Sequence, residues 1–394
     1  MKDPRIFISA GEASGDLHAA NLVRALHRLT PKADIVGLGG PRLRAAGARL
    51  LADTVEFGII GVGPLVGSFW RYLDLLSRTD RFLAAWRPDV VVTIDCPGFH
   101  FLLASRIRAR RIPLLWYIPP QLWAWAPGRV HKLRRRFTHV ACVLPREEAF
   151  FCNAGVPATF VGHPVVDHLR NLVLDEAFIA SLHAGSDERL VALLPGSRRQ
   201  EIGPILARQL AVARALADRA GACRFVLALA DAAHRRWTNP LIAASGLEVR
   251  TVVGKTHEVE SAADLALVAS GTATLELVFY GTPMAVFYNV TWAGWNLLGR
   301  WLVKTPYLSL PNALAGRRIV PEFMRNRSPG PQAMDEIARL LLDEQIHREM
   351  KADLAEIRRK IARPGAAENT ARLALSLIGT CVPEPPRLRP GFAM

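Results

Sequence analysis

Two short segments in the second half of the chain bring small and polar residues to points where a strand gives way to a helix. In the first, an apolar run over residues 264–269 precedes a helical spacing of apolar residues that ends before Pro283. Four residues occupy the amino end of that helix: Ser270, Gly271, Thr272 and Thr274. Unpaired N–H groups there favour an anion such as a phosphate, and Glu276, one turn further on, could bind ribose hydroxyls. An ordinary capped helix in a parallel sheet fits the same residues.

The second segment, residues 191–202, is again a buried strand followed by a Pro-Gly-Ser turn and a helix. Ser197 closes the turn and Arg198 follows it, with a planar guanidinium group that matches two phosphate oxygens at once. Two anion-suited turns in one half of the chain predict a site for a nucleoside diphosphate. A solvated arginine at a helix start is the alternative, and it fits Arg199 better than Arg198.

Asp95 follows the hydrophobic strand 90–94, and loops at the carboxyl ends of strands hold reactive groups in α/β sheets. A carboxylate there could act as a general base. Capping of the next helix is the competing interpretation. His163, which follows another strand, is either a second acid or base or a hydrogen-bonded loop histidine.

A third loop rich in small residues, Ala10-Gly-Glu-Ala-Ser-Gly-Asp16, follows the first strand of the chain. Small residues allow a ligand to approach the backbone closely, so Glu12 and Ser14 are candidate substrate contacts. The glycine spacing is not that of a dinucleotide fingerprint, and a tight structural turn explains the loop equally well.

Strands that alternate with helices must position these residues, which predicts an α/β protein with two doubly wound parallel sheets of Rossmann type. We expect an amino-terminal domain over 1–165, a linker over 166–189, a second domain over 190–365 with terminal helices, and a disordered tail over 382–394. The predicted strands are Arg5–Ser9, Asp34–Gly37, Asp89–Ile94, Pro113–Ile118, His139–Val143 and Ala158–Val161, and then 190–194, 224–229, 247–252, 264–269 and 284–287. An aromatic-rich helix is predicted over 292–303, and a loop over 307–317 is expected to expose Asn312.

Composition bounds the class of protein. The chain has 394 residues, half of them apolar, which indicates a globular protein with a large core. The absence of a signal peptide and of CxxC spacing predicts a cytoplasmic protein with reduced, buried cysteines. We expect no membrane span, because no apolar stretch reaches about 18 residues. The cysteines are Cys96, Cys142, Cys152, Cys223 and Cys381.

The net charge of +15 is unevenly distributed, since residues 96–146 contain basic but no acidic side chains. Such a surface suits nucleic acid or an anionic membrane, and a merely solvated basic face is the alternative. An uncharged run over 57–70 precedes Arg71, Arg78 and Arg81 on a predicted helix. This pairing predicts a segment that lies among lipid headgroups, unless its apolar face packs into the core.

The sequence contains no Asp-x-Asp and no HExxH. A metal-bridged diphosphate is therefore not indicated, and helix amino ends with Arg198 must carry the charge. We predict metal-independent transfer without a cofactor.

Seven motifs, in order, resemble the lipid-A-disaccharide synthase family over roughly residues 5–325. They are Ala10–Asp16, Ile94-Asp-Cys-Pro97, Trp123-Ala-Trp125, Val161-Gly-His-Pro164, Leu194-Pro-Gly-Ser-Arg198, Ser270–Glu276 and Ser309-Leu-Pro-Asn312. The resemblance implies a glycosyltransferase of GT-B fold whose two domains face a central cleft. It implies transfer from UDP-2,3-diacylglucosamine to 2,3-diacylglucosamine 1-phosphate, with inversion and release of UDP. It also implies peripheral attachment to the cytoplasmic face of the inner membrane, no nucleic-acid partner and, in some members, a dimer with exchanged carboxyl-terminal segments.

The resemblance also assigns roles to single residues. Asp95 matches the family's proposed base and Arg198 its diphosphate-binding arginine, while Glu276 and Asn312 match nucleotide-side positions. Many members have Pro-Asp-Phe-Asn where this chain has Pro97-Gly-Phe-His100, and Ser-Pro-Ser-Val where it has Pro-Pro-Gln-Leu over 119–122. The resemblance places these departures beside the acceptor site, so it does not define the acceptor or acyl-chain preference of this chain. Another GT-B transferase or a UDP-sugar epimerase is the nearest enzymatic alternative, and a basic membrane- or nucleic-acid-binding protein is the non-enzymatic one.

Overall fold

The structure of the chain is a computed structural model that describes residues 3–55, 66–183, 188–220, 223–289, 307–324 and 330–380. The chain separates into two compact units. The first consists of Met1–Pro164 together with Arg363–Met394, and the second of Val165–Ala362. Three predictions fall partly or wholly outside the described residues: most of the uncharged run 57–70, the helix 292–303 and the tail 382–394.

Strands and helices alternate through the first unit. Its strands are β1 (Arg5–Ala10), β2 (Asp34–Gly39), β3 (Arg49–Asp53), β4 (Val90–Ile94), β5 (Leu114–Tyr117), β6 (His139–Cys142) and β7 (Ala158–Phe160). Its helices are α1 (Ala13–Leu29), α2 (Pro41–Ala45), α3 (Val66–Trp86), α4 (Pro97–Ala109), α5 (Leu122–Trp125), α6 (Val130–Arg136) and α7 (Pro145–Asn153).

The seven strands form one parallel sheet in the order β3-β2-β1-β4-β5-β6-β7. Every residue of β4 is buried, as expected for a strand whose two faces are both covered. Strand order reverses between β1 and β4. The carboxyl ends of these two strands therefore meet at the switch point where open α/β sheets bind ligands.

The second unit repeats this plan. Its strands are β8 (Arg189–Leu194), β9 (Cys223–Leu229), β10 (Val249–Val253), β11 (Leu265–Ala269), β12 (Met284–Phe287) and β13 (Glu322–Phe323). Its helices are α8 (Pro164–Arg170), α9 (Glu176–His183), α10 (Arg199–Ala220), α11 (Arg235–Ser245), α12 (Thr256–Ala262), α13 (Ala273–Tyr280), α14 (Leu310–Ala315), α15 (Pro331–Leu342) and α16 (Glu344–Ile361). The sheet order β10-β9-β8-β11-β12-β13 places its switch point between β8 and β11.

The chain returns to the first unit at its end, where α17 (Ala366–Ser376) packs against α1. The Asn369 amide donates a hydrogen bond to the Val161 carbonyl at 2.9 Å, and the Arg363 guanidinium donates to the carbonyl of Phe160. Gly162 has φ +99°, and a Cβ there would collide with the Arg363 carbonyl. The close approach of the returning chain therefore explains the glycine of the Val161-Gly-His-Pro164 motif.

The predicted fold class, α/β with two doubly wound Rossmann-like sheets, is confirmed. The predicted strands end within two residues of the observed ones. Strands β3 and β13 were not predicted, because β3 is only partly buried and β13 has two residues. Residues 166–189, predicted as a linker, contain helices and group with the second unit.

The cysteines that the structure describes are free thiols. Cys142 is buried, whereas Cys152 is exposed, so the expectation that all are buried is wrong for that residue.

Candidate active site

A pocket of about 400 Å³ lies at the switch point of the second unit. It is lined by the turn after β8, the turn after β11 and one side of α12. Among the residues predicted to bind substrate, it brings together Ser197, Arg198, Gly271, Thr272 and Glu276.

The turn after β8 depends on Gly196, which has φ +97°. A Cβ at this position would lie 3.3 Å from a carboxylate oxygen of Glu201 and 3.4 Å from the Cβ of Ala269. Arg198 follows at the head of α10, with 80% of its side chain exposed and one guanidinium nitrogen 3.1 Å from Glu201 Oε1. An exposed ion pair of this kind contributes little to stability, so Arg198 can exchange Glu201 for a phosphate at small cost.

The turn after β11 leads into α13, and the residues that head this helix, Gly271 to Ala273, line the pocket. Their N–H groups lie at the helix end where unpaired donors and the helix dipole favour negative charge. Thr274 behaves differently from the prediction, because it is 1% exposed and its hydroxyl donates to the Gly271 carbonyl at 2.7 Å. It shapes the turn and does not line the pocket.

Glu276 forms a carboxyl pair with Glu260 of α12 at the wall of the pocket. Burial raises the pKa of Glu260 to about 8, and burial together with the charge of Glu260 raises the pKa of Glu276. The pair therefore retains a proton near neutral pH, because two buried carboxylates cannot both ionise cheaply. His257 Nδ1 lies 3.2 Å from Glu260 Oε2. The ligand atoms of these three residues lie within 4.8 Å of one another, so a metal ion could also use them.

Replacement of Glu260 by glutamine is expected to raise the melting temperature at pH 8 and to leave it nearly unchanged at pH 5. The pKa of about 8 in the folded chain lies above the value of about 4.3 for an unfolded glutamate. Stability therefore falls as pH rises between these two values, because the folded chain keeps a proton that the unfolded chain releases. Glutamine is neutral in both states, so it removes this fall. Thermal unfolding at the two pH values measures the effect, with Glu248→Gln at an exposed position as the matched control. An equal shift at both pH values would contradict it.

Asn312 is fully buried, so the expectation of an exposed side chain is wrong. Its amide nitrogen donates to the Val320 carbonyl and to Glu322, and its amide oxygen accepts from the N–H groups of Ile319 and Val320. The residue lies in α14, in the segment predicted as a loop. Every hydrogen-bonding position of the amide is occupied, so Asn312 supports the second sheet and has no free group for a substrate.

Asp95 lies at the carboxyl end of β4, at the switch point of the first unit. It has φ +52°, and Cys96 follows with φ +47°, a conformation that residues other than glycine rarely adopt. Burial raises the pKa of the Asp95 carboxyl above its usual value, and a hydrogen bond from the Cys96 backbone offsets part of the rise. A carboxylate with a raised pKa, on a residue with a strained backbone at this edge of the sheet, is the type of group that serves as a general base.

The loop after β1 lies on the same edge of the sheet as Asp95, because β1 and β4 are neighbouring parallel strands. The charges of Asp95 and Glu12 reach the Cys96 thiol, whose pKa burial raises to about 12. Glu12 and Ser14 are exposed at the start of α1. Asp16, by contrast, is buried and accepts hydrogen bonds from the backbone N–H groups of Gly40, Arg42 and Leu43 at 2.7 to 3.1 Å, which fastens α2 to α1.

His100, one of the residues expected beside the acceptor, is fully buried, and its Nδ1 lies 2.6 Å from the Asp95 carbonyl oxygen. Gly98 is exposed, and a Cβ there would come within 3.9 Å of the Tyr72 hydroxyl.

His163 and Trp123 belong to two further motifs of the first unit. Burial lowers the pKa of His163 to about 4, so its ring is neutral at pH 7. Trp123 donates from Nε1 to the buried Glu147 at 3.3 Å, and the Arg146 guanidinium lies 4.4 Å from the Trp123 ring centroid.

Comparison with known proteins identifies the family. The family model described as Lipid-A-disaccharide synthetase matches residues 6–376. A protein named lipid-A-disaccharide synthase in Geobacter metallireducens is 36% identical over 376 residues, which cover 95% of this chain and 97% of that protein. The chain belongs to the lipid-A-disaccharide synthase family. It is therefore a glycosyltransferase of lipid A biosynthesis, as the resemblance implied.

Solved structures agree on the fold. A putative UDP-N-acetylglucosamine 2-epimerase from Listeria monocytogenes superposes with a TM-score of 0.61 at 15% identity, covering 98% of this chain and 99% of the other. The glycosyltransferase SnogD from Streptomyces nogalater gives a TM-score of 0.53 at 20% identity, covering 96% and 100%. These likenesses confirm the GT-B class of fold. Among the described residues of this family member, no helix is long and apolar enough to cross a membrane.

Proposed function

We propose that the chain transfers 2,3-diacylglucosamine from its UDP derivative to 2,3-diacylglucosamine 1-phosphate, with inversion at the anomeric carbon and without a metal ion. The observation that carries the proposal is the pocket at the second switch point, in which Arg198 and the head of α13 surround a space of about 400 Å³. A space of this size with convergent donors suits a nucleoside diphosphate.

The donor contacts follow from the chemistry of this pocket. Arg198 and the N–H groups of Gly271 and Thr272 would bind the diphosphate, with Ser197 beside them. Glu276 would take ribose hydroxyls, and its shared proton lowers the negative charge near the diphosphate. Thr274 and Asn312 have no contact with the donor in this proposal, and they stabilise the backbone to which their side chains are hydrogen-bonded.

Asp95 supplies the base in this proposal. An acceptor hydroxyl is a poor nucleophile near neutral pH, so the carboxylate takes its proton as the oxygen attacks the anomeric carbon. The bond from that carbon to the diphosphate breaks, and UDP leaves with the electron pair. Attack from the side opposite to the leaving group inverts the anomeric centre. Glu12 and Ser14 are exposed at the start of α1, on the same edge of the sheet as Asp95, and are the proposed acceptor contacts.

In this mechanism, fixed hydrogen-bond donors stabilise the negative charge that develops on the departing diphosphate. Interactions that strengthen as the charge develops lower the barrier, and Arg198 and the α13 head can supply them without a cation. The cluster of His257, Glu260 and Glu276 offers the alternative of a bound metal. Activity in a chelator distinguishes the two, because a required cation would restore activity when added back.

A test of the function is incubation of the purified chain with both substrates in the presence of a chelator. Mass spectrometry should detect the acylated disaccharide phosphate together with UDP. Absence of the disaccharide under all ionic conditions would reject the proposal. Activity that appears only on addition of magnesium would reject the metal-free mechanism and leave the function in place.

We also propose that the first unit docks on an anionic membrane. Trp70 of α3 is 71% exposed, and Arg71 beside it is exposed as well. Both line a groove of about 640 Å³ with Leu75 and Arg78. Other residues of α3 pack into the core, such as Tyr72, whose ring meets Phe99 edge-on at 5.3 Å. We propose as the docking surface the Trp70 side of α3 together with the exposed arginines of residues 106–136.

Binding to vesicles that contain anionic lipid is expected at low salt and should weaken as salt screens the arginines. Replacement of Trp70 by alanine and of Arg71 by glutamate in one variant should reduce co-sedimentation several-fold. Arg219→Glu, on the second unit, is the control for a change of the same charge. Wild-type chain that stays in the supernatant at low salt would contradict the docking proposal.

A further inference from the structure

His100 of α4 makes two hydrogen bonds that connect β1 to the end of β4. Its Nδ1 lies 2.6 Å from the Asp95 carbonyl oxygen, and its Nε2 lies 2.9 Å from the hydroxyl of Ser9. A carbonyl oxygen only accepts, so Nδ1 carries the proton and Nε2 accepts from Ser9. Burial lowers the pKa of His100 to about 4, which keeps the ring neutral at pH 7. Both His100 and Ser9 are fully buried.

Both backbone groups of Asp95, its N–H and its carbonyl, are hydrogen-bonded. Its N–H donates to the Tyr117 carbonyl at 3.1 Å, and its carbonyl accepts from Trp116 Nε1 at 3.2 Å as well as from His100. A non-glycine residue at φ +52° persists only where its surroundings over-determine the conformation. The His100 and Trp116 donors provide that constraint, because together they fix the plane of the peptide bond between Asp95 and Cys96.

We propose that His100 is a positioning residue that uses Ser9 as its anchor to fix the direction of the Asp95 carboxyl. This inference rests on the proposed function, in which Asp95 is the base. A base must lie within hydrogen-bond reach of the proton that it removes, and a displacement of about 1 Å can cost about a hundredfold in rate. His100 does not touch the substrate in this account, and its effect passes through the backbone of Asp95.

Asparagine at position 100 provides a rescue variant. Its amide nitrogen is as far from Cβ as Nδ1 of histidine is, so it can donate to the Asp95 carbonyl. It is too short to reach Ser9 as well. The donor to Asp95 is thus kept in His100→Asn and removed in His100→Leu.

We expect His100→Leu to lower kcat by about ten- to a hundredfold, with the KM for the UDP-sugar and the affinity for UDP unchanged. His100→Asn should recover kcat to within a few-fold of the wild type. His139→Leu is the matched control, since His139 is a partly buried histidine at the amino end of β6, hydrogen-bonded to the Thr159 hydroxyl at 2.9 Å. It should leave kcat unchanged.

A double-mutant cycle with Ser9→Ala tests the anchor. Ser9→Ala should lower kcat a few-fold in the wild-type chain and have no effect in the His100→Leu background. If His100→Leu does not fold, Ser9→Ala carries the test, because it keeps the histidine ring and removes only the hydroxyl that donates to Nε2.

Two results would overturn the inference: full kcat in His100→Leu, or a loss that His100→Asn does not recover. With Ser9→Ala as the only folded variant, an unchanged kcat would overturn it. Asp95→Asn measured beside them separates this failure from that of the proposed function. An inactive Asp95→Asn with an active His100→Leu refutes only the positioning role, whereas an active Asp95→Asn refutes Asp95 as the base.

Discussion

Replacement of Asp95 by asparagine is expected to lower kcat by about a hundred- to ten-thousandfold and to leave the affinity for UDP unchanged. The lower and upper values are those typical for the loss of a general base. Asparagine has nearly the shape of aspartate and keeps an oxygen to accept the Cys96 hydrogen bond, but it cannot take a proton from the acceptor hydroxyl. In the proposed function UDP binds in the second unit, so calorimetric titration should give the wild-type dissociation constant.

The matched control for this variant is Asp89→Asn, just before the amino end of β4. Asp89 accepts a hydrogen bond from the Arg5 N–H at 2.7 Å, which asparagine can also accept. This substitution should leave kcat near the wild-type value. Near-normal turnover in Asp95→Asn, measured by UDP release at saturating substrates, would remove Asp95 from the role of base.

The pKa of Asp95 adds a dependence on pH to the same experiment. Burial raises this pKa, and the base must be ionised to act, so kcat/KM should rise with pH through an acid limb above the range of an ordinary aspartate.

Replacement of Arg198 by alanine is expected to lower kcat by about a hundred- to a thousandfold and to weaken UDP binding by about tenfold or more. Donors aimed at developing charge contribute most in the transition state, and removal of one such donor typically has an effect of this size on kcat. Arg198→Lys keeps the charge and loses the planar fork, so its kcat should fall between those of the wild type and Arg198→Ala.

Arg199→Ala is the matched control for Arg198→Ala. Arg199 is the next residue along the chain, but its guanidinium lies 5.3 Å from the ring centroid of Trp237 and it does not line the pocket. Its removal should leave UDP affinity unchanged. Equal losses in the two alanine variants would indicate a general effect of positive charge and would contradict a specific contact between Arg198 and the diphosphate.

The positions of the residues in both candidate sites could be predicted from the sequence, because these residues directly follow strand ends. Buried apolar runs located β4, β8 and β11, and short polar or glycine-containing turns located Asp95, Arg198 and Gly271 at their carboxyl ends. Parallel sheets bring such ends to one edge, so the local pattern contained the relevant tertiary information.

The features that the sequence did not reveal depend on how side chains and backbone groups pack in the folded chain. Asn312 and Thr274 have polar side chains that sequence alone cannot distinguish from substrate contacts, yet backbone groups of their own unit use them. Glu260 pairs with Glu276 only because α12 and α13 pack together, and no spacing in the sequence indicates that pair. The return of the chain at Arg363 depends likewise on contacts with residues about 200 positions earlier, as between Asn369 and Val161.

Release of UDP in the presence and absence of the acceptor tests the central claim most directly, because a transferase needs a second substrate and an epimerase does not. The account predicts that the purified chain, in chelator, releases UDP only when 2,3-diacylglucosamine 1-phosphate is added. One disaccharide of inverted anomeric configuration should form for each UDP released. Consumption of the UDP-sugar at the same rate without the acceptor would contradict the account.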